Sequence, residues 1–310
     1  MTLTLLFAAG ADAYEDYRAP LSSALSDAGL TATVVTDAAP QDVDYIIYAP
    51  SSSLQDFTPF TRCKAVLSLW AGVERIVGNA TLTQPLARMV DPSLTQGMIE
   101  YVTGHVLRYH LGMDAHINAR PGDWAAVEPP LAQERQIGIL GLGALGLACA
   151  RTLLQLGFQV QGWSRAAKSL PDITCHHGDE GLKTLLQSTE TLVTLLPHTP
   201  QTENLLNARR LAQLRPGARL INPGRGALID DQALIDALER EQIAHATLDV
   251  FRREPLPADH PFWHHPRVTV TPHIAATTRA PSAARVIVEN IARMEAGLAL
   301  KHQVSRDTGY

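Results

Sequence analysis

The stretch IGILGLGALG, residues 137–146, restricts this chain more than any other. It sets Gly141, Gly143 and Gly146 in GxGxxG spacing, directly after an apolar, strand-like run and directly before the helical run ALGLACARTLLQLG. In that context the first glycine permits a tight turn, the second lets backbone approach a pyrophosphate, and the third allows the helix to pack on the strand. The helix start offers unpaired N–H groups and the positive end of its dipole. A parallel α/β sheet that holds a dinucleotide is therefore predicted, with Gly141, Gly143, Ala144, Leu145 and Gly146 against the cofactor.

The rest of the chain reads the same way. RQIGIL, FQVQGWS, TLVTLLP, ARLINPG, ATLDV and VTVTP are strand candidates, alternating with helical LKTLLQS, ARRLAQL and DQALIDALER. Such alternation means βαβ units and a parallel sheet. Residues 1 to about 95 carry a second set, TLTLLFA, ATVVT, VDYIIYAP and AVLSLW, with an amphipathic helix around Leu21 to Ala28. A long helical stretch from Leu94 to about Asn118 ends at the breaker run ARPGDW, and PSAARVIVENIARMEAGLAL predicts a final helix that folds back onto the first half. Two domains follow, 1–97 with 279–310 and 98–278, in keeping with 310 residues.

Composition removes several function classes. A net charge of -5 argues against a nucleic-acid partner. Cys63, Cys149 and Cys175, odd in number and without CxxC spacing, form neither a disulfide framework nor a zinc site, so no metal is expected and the cytoplasm is the expected compartment. The apolar run at the N-terminus stops within about ten residues and lacks a basic flank, which argues against a signal or membrane segment.

About twenty residues beyond the glycine turn, a strand ends at Gly162-Trp163-Ser164-Arg165, where a free ribose 2′-hydroxyl calls for an acid. None is present. Trp163, Ser164, Arg165 and Lys168 instead supply a hydroxyl and two cations suited to a 2′-phosphate, so NADP(H) is preferred and NAD(H) is the alternative. Three further strand ends carry Asn222-Pro223-Gly224-Arg225-Gly226, the segment Phe251 to Glu254, and Pro272-His273. Ligands bind beyond the carboxyl ends of strands in such sheets. A histidine titrates in the range needed to donate a proton, a neighbouring Glu254 stabilises its charged form, and Arg225 suits a carboxylate.

The ordered set GLGALG, LLPHTPQT, INPGRGALID, LDVFRREPLPADHPFW and TPHIAATT resembles the D-2-hydroxyacid dehydrogenase family from about Met98 to Thr278, and WSR resembles its glyoxylate/hydroxypyruvate reductase branch. The resemblance implies two Rossmann-like, doubly wound α/β domains with the active site in the cleft between them. It implies Arg225 as binder of carboxylate and carbonyl, Glu254 as the partner of the histidine, and His273 as general acid/base. It also places Leu196, Pro197 and Thr199 at the adenine and ribose side, Asn222, Pro223 and Gly224 near the nicotinamide, and Asp249 at its carboxamide. Ala71, Gly72 and Val73, in LWAGVE, resemble the loop whose N–H groups hold the substrate carboxylate. The Trp124 loop resembles a segment at a homodimer interface, and Met98 and Tyr101 belong to a helical stripe expected to pack in the core or at the interdomain junction, with the nicotinamide as the alternative contact of Met98.

One departure bears on the substrate. Where many reductases of this branch carry a tryptophan, this chain reads Tyr48-Ala49-Pro50-Ser51. Arg279 adds a cation near the histidine turn and is read as solvating a helix start, with contact to an acidic substrate group as the alternative. The expected activity is NADPH-dependent reduction of glyoxylate, hydroxypyruvate or a similar small 2-oxo acid to a D-2-hydroxy acid. The alternatives are a larger or phosphorylated 2-oxo acid, or an NADP(H)-sensing binding protein without turnover.

Overall fold

The computed structural model describes residues 2–306, which divide into two compact units, 2–94 with 277–306 and Thr95–Ala276. The boundaries expected from sequence lay at 97/98 and 278/279. In the first unit, strands β1 (Leu3–Ala8), β2 (Ala32–Val35), β3 (Tyr45–Tyr48), β4 (Ala65–Ser68) and β5 (Leu86–Ala87) form a parallel sheet in the order β2-β1-β3-β4-β5. Helix α1 (Ala11–Asp27) follows β1. Alternation along the strands sends Leu5, Tyr45, Ile47 and Leu67 to one face and Ile46, Tyr48 and Val66 to the other. The first face is covered by Leu21 and Leu25 of α1 and by the final helix; the second is closed by irregular chain bearing Phe57, Phe60, Val73 and Ile76.

Helix α2 (Pro92–His110) carries the chain into the second unit, where α3 (Met113–Ile117) follows. Seven parallel strands then form the order β12-β11-β10-β9-β6-β7-β8. They are β6 (Gln136–Leu140), β7 (Gln159–Trp163), β8 (Thr174–His176), β9 (Thr191–Thr194), β10 (Ala218–Asn222), β11 (Ile243–Leu248) and β12 (Val268–Val270). Helices α4 (Ala144–Gln155), α5 (Gly178–Ser188), α6 (Ala208–Leu211) and α7 (Asp231–Glu239) connect them. One face buries Ile137, Ile139, Val193 and Ile221 beneath α2 and α4, the other Leu140, Leu192 and Leu220 beneath α5, α6 and α7. This is a doubly wound sheet whose order reverses between β6 and β9, beside the glycine turn. Helix α8 (Ala280–Glu295) returns to the first unit, packing Ala284, Ile287 and Ile291 onto its sheet.

Several elements differ from the sequence reading. The first helix begins at Ala11 and not near Leu21: Tyr14 and Tyr17 extend the stripe of Leu21, Ala24 and Leu25 backward at helical spacing, past the internal Pro20. The long helix predicted to Asn118 is two: Gly112, at φ 62, takes a left-handed conformation and separates α2 from α3. The last helix stops at Glu295 and not near Leu300, with Gly297 at φ 71 just beyond. Strands β5 and β8, two and three residues long, are too short to show a period. Among the described residues no helix is long and apolar enough to cross a membrane.

Candidate active site

Strand β6 ends in the glycine turn. Gly141 lies at φ 106, and a Cβ there would sit 2.6 Å from the Leu195 carbonyl oxygen; a Cβ on Gly146 would overlap the carbonyl oxygen of Gly141. These two glycines let the turn pack on its own neighbours. Gly143 differs, since a Cβ there meets nothing within 4 Å. It caps α4 without a side-chain hydrogen bond, and Gly143 and Ala144 are exposed. Open space over an uncapped helix start is what a pyrophosphate requires, so these residues fit a dinucleotide; Leu145 is half-buried beside them.

Past β7 the segment read for 2′-phosphate recognition is tied to this turn. Lys168 Nζ donates to the Leu142 carbonyl at 2.6 Å, and the buried Ser164 hydroxyl donates to Ala166 O at 2.8 Å. Arg165 is exposed. Trp163 is a packing residue: its ring lies in the core and its indole N–H donates to Gly178 O at 2.9 Å. After β9, Leu196 is buried, Pro197 and Thr199 are half-buried, and Thr202 fixes their loop by accepting the Thr199 N–H at 2.8 Å and donating to Pro197 O at 2.7 Å.

The loop after β10 is shaped by Asn222. Its buried carboxamide oxygen accepts the Thr194 hydroxyl at 2.5 Å and the Gly224 N–H at 3.2 Å, while its NH2 donates to Arg225 O at 3.0 Å. Pro223 and Gly224 are buried with it, and the half-buried Arg225 donates from Nη1 to Gly224 O at 2.8 Å. Beyond β12, His273 Nδ1 lies 2.7 Å from Glu254 Oε2. Glu254 Oε1 in turn accepts the Phe251 N–H at 2.9 Å, so the carboxylate is oriented from its own loop. About half of the His273 side chain is exposed, which leaves its other nitrogen open to a ligand.

His273 sits at φ 55, a left-handed conformation that costs an L-residue on the order of 1 kcal/mol. Asp249 holds it there. Its backbone oxygen accepts the His273 N–H at 2.9 Å, Oδ1 accepts the Thr271 hydroxyl at 2.6 Å and the Ile274 N–H at 2.9 Å, and Oδ2 accepts the Ala275 N–H at 2.9 Å. From α2, the Tyr101 hydroxyl joins Thr271 Oγ1 at 2.7 Å. Asp249, placed by resemblance at the nicotinamide, is fully buried, and in this structure its carboxylate organises the histidine turn.

In the first unit the turn after β4 is braced by Ser68, whose hydroxyl accepts the Trp70 N–H at 3.1 Å and donates to Trp70 O at 3.2 Å. The N–H groups of Ala71, Gly72 and Val73 have no acceptor among the described residues. Three consecutive amides without an acceptor are the kind of backbone donor set from which anion sites are built. Met98 is buried in the core of the second unit, and Arg279 is the N-cap residue of α8. Among the described residues no group of three or more His, Cys, Asp or Glu could hold a metal ion.

Residues 105–275 match the model of the D-isomer specific 2-hydroxyacid dehydrogenase NAD binding domain. The chain belongs to this family. It is 41% identical over 266 residues to glyoxylate/hydroxypyruvate reductase A of Yersinia enterocolitica, covering 83% of this chain and 84% of that one. With the enzyme of the same name from Serratia proteamaculans it shares 40% identity over 291 residues, 91% and 92% of the two chains. A D-isomer specific 2-hydroxyacid dehydrogenase from Xanthobacter autotrophicus Py2, solved with NADPH and MES, matches with a TM-score of 0.93 and 39% identity across 100% of both chains. An NADPH-dependent glyoxylate/hydroxypyruvate reductase from Sinorhizobium meliloti, solved with NADP and sulfate, matches with a TM-score of 0.86 and 32% identity over 100% of this chain and 99% of that one.

For this 2-hydroxyacid dehydrogenase, sequence reasoning identified the charged groups and missed their supports. Ser68, Thr202 and Thr271 were not singled out, Tyr101 was read only as a packing residue, and Asn222 was read as a residue near the nicotinamide and not as the brace of its own loop. The available signal was their position: Ser, Thr and Asn at strand ends and turns hydrogen-bond nearby backbone.

Proposed function

We propose that this dehydrogenase reduces glyoxylate, hydroxypyruvate and similar small 2-oxo acids to D-2-hydroxy acids with NADPH. The observation that carries the reading is the 2.7 Å contact between His273 and Glu254, beyond a strand of the sheet that also presents the open Gly143 turn. A bound nicotinamide supplies the hydride. Protonated His273, held through Nδ1, donates the proton on its other nitrogen to the ketone oxygen, and Glu254 balances the charge of the ring. Arg225 binds the substrate carboxylate and polarises the ketone by charge-assisted hydrogen bonds. In the first unit, the amides of Ala71, Gly72 and Val73 are donors suited to a substrate carboxylate.

On the cofactor side, Gly143, Ala144 and Leu145 receive the pyrophosphate, with Gly141 and Gly146 shaping the turn. Ser164, Arg165 and Lys168 favour the 2′-phosphate of NADPH over NADH. Leu196, Pro197 and Thr199 line the adenine and ribose side, and Asn222, Pro223 and Gly224 lie by the nicotinamide. The enzyme acts as a homodimer: Trp124 is 95% exposed, with Ile117, Val127 and Leu131 exposed in the same stretch of chain, an apolar surface of the kind that protein contacts cover. The free thiols of Cys63, Cys149 and Cys175 support a cytoplasmic location.

The test is oxidation of NADPH and of NADH, side by side, with glyoxylate, hydroxypyruvate, pyruvate and a bulky 2-oxo acid. Fast turnover is expected for NADPH with the first two. Tight NADPH binding without turnover on any of the four would replace this reading with that of a nucleotide sensor.

A further inference from the structure

Arg252 lies two residues before Glu254 and faces away from any role assigned above, yet its side chain reaches three other segments of the carboxyl edge. Nη2 donates to the carbonyls of Ile229 at 2.6 Å and Ala227 at 3.3 Å, and contacts the Asn204 carboxamide oxygen. Nη1 lies 3.6 Å from the Glu203 carboxylate and Nε 3.7 Å from Asp231. Burial raises the Asp231 carboxyl, against which Arg252 and His260 act. Ala227 and Ile229 lie shortly beyond Arg225, and Asn204 follows the loop of Pro197 and Thr199.

Backbone packing makes this reach consequential. A Cβ on Gly226 would overlap the carbonyl carbon of Phe251, so the loop carrying Arg225 and the loop carrying Glu254 also pack main chain against main chain at this point. Glu254 is oriented by the Phe251 N–H, within the same turn as Arg252. Any sliding of one loop over the other therefore moves the His273 partner relative to Arg225.

We propose that Arg252 is a positioning residue, whose guanidinium fastens the Glu254 loop to the Arg225 loop and so sets the spacing between the proton donor and the carboxylate binder. The inference rests on the catalytic reading of His273, Glu254 and Arg225. It requires arginine specifically, because Nε, Nη1 and Nη2 together span the segments 203–204 and 227–231, whereas a lysine ammonium is a single point of contact. Misplacing reacting groups by about 1 Å costs on the order of 100-fold in rate.

The experiment compares R252A, R252K and H273A with the parent enzyme, measuring kcat and KM for glyoxylate, NADPH affinity by fluorescence, and Tm. R252A is expected to lose on the order of 10- to 100-fold in kcat, with NADPH affinity retained, and R252K is expected not to restore the rate. If R252A keeps the parental kcat, or R252K restores it, Arg252 is only a structural brace and the inference fails. Should R252A not fold, Asn204→Ala removes one acceptor from the same clamp; a smaller loss of kcat supports the inference and an unchanged kcat overturns it. H273A separates the two failures: parental turnover in that variant sinks the catalytic reading, while its loss beside a fully active R252A sinks only the role of Arg252.

Discussion

The two edges of the seven-stranded sheet both carry charged side chains and do different things with them. At the amino edge, Arg135 before β6 pairs with Glu190 before β9 at 2.7 Å, and Arg215 approaches the same carboxylate at 3.5 Å. At the carboxyl edge, Arg225, Glu254 and His273 hang from loops whose own polar groups satisfy one another, and the His273 side chain stays half exposed. The strands are parallel, so helix starts gather at the carboxyl edge and helix ends at the other. Helix starts attract anions, such as a cofactor phosphate, whereas cations at the amino edge complement the helix ends. Charge near a sheet edge becomes a site only on the side where backbone also points donors outward.

The sharpest way to break that contrast is His273→Ala, expected to lower kcat by roughly 1000-fold while NADPH affinity and Tm stay near parental values. A variant as active as the parent would make the carboxyl edge no more catalytic than the other. Next come two glycines of one turn with opposite expectations. Gly146→Ala places a methyl on the Gly141 carbonyl and should destabilise by about 3 kcal/mol. Gly143→Ala, at φ -77 and facing open space, should leave Tm unchanged and weaken NADPH binding on the order of tenfold. Equal effects on Tm would mean that Gly143 is packed like Gly146 and does not face open space.

At the amino edge, Glu190→Gln should cost about 1 to 2 kcal/mol in urea unfolding, because it leaves a partly buried Arg135 without its carboxylate, and kcat should not move. A large loss of kcat would show that the two edges are coupled. The smallest effect expected is that of His245 on β11, whose imidazole is pulled down to about 4 by burial and then by Arg108. Its ordinary value is 6.5, so between pH 6.5 and about 4 the unfolded chain takes up a proton that the folded one refuses. Stability therefore falls as pH falls through that window, by about 1 kcal/mol at pH 5 after allowance for partial exposure. In His245→Gln the profile of Tm against pH should be flatter between these limits; an unchanged slope would assign the acid sensitivity to other groups.

What could be read in the sequence followed from side chains that must be chemically present. The glycine turn, the arginine, the glutamate and the histidine each stand beyond an apolar strand, and the period of those strands places them at one edge. Short edge strands such as β8, and the break at Gly112, were hidden because two or three residues make no period and a lone glycine within a helical pattern is locally ambiguous.

The sequence by itself determined a doubly wound sheet, a dinucleotide turn and the three groups at its carboxyl edge, since strand alternation and residue chemistry are local properties. Only the tertiary structure decided how those groups are held. Asp249, buried by packing, gathers N–H groups from residues 24 to 26 positions further along and holds His273 in a left-handed turn. Hydrogen bonds across that separation depend on where the strands come to lie side by side, and no spacing in the chain encodes them.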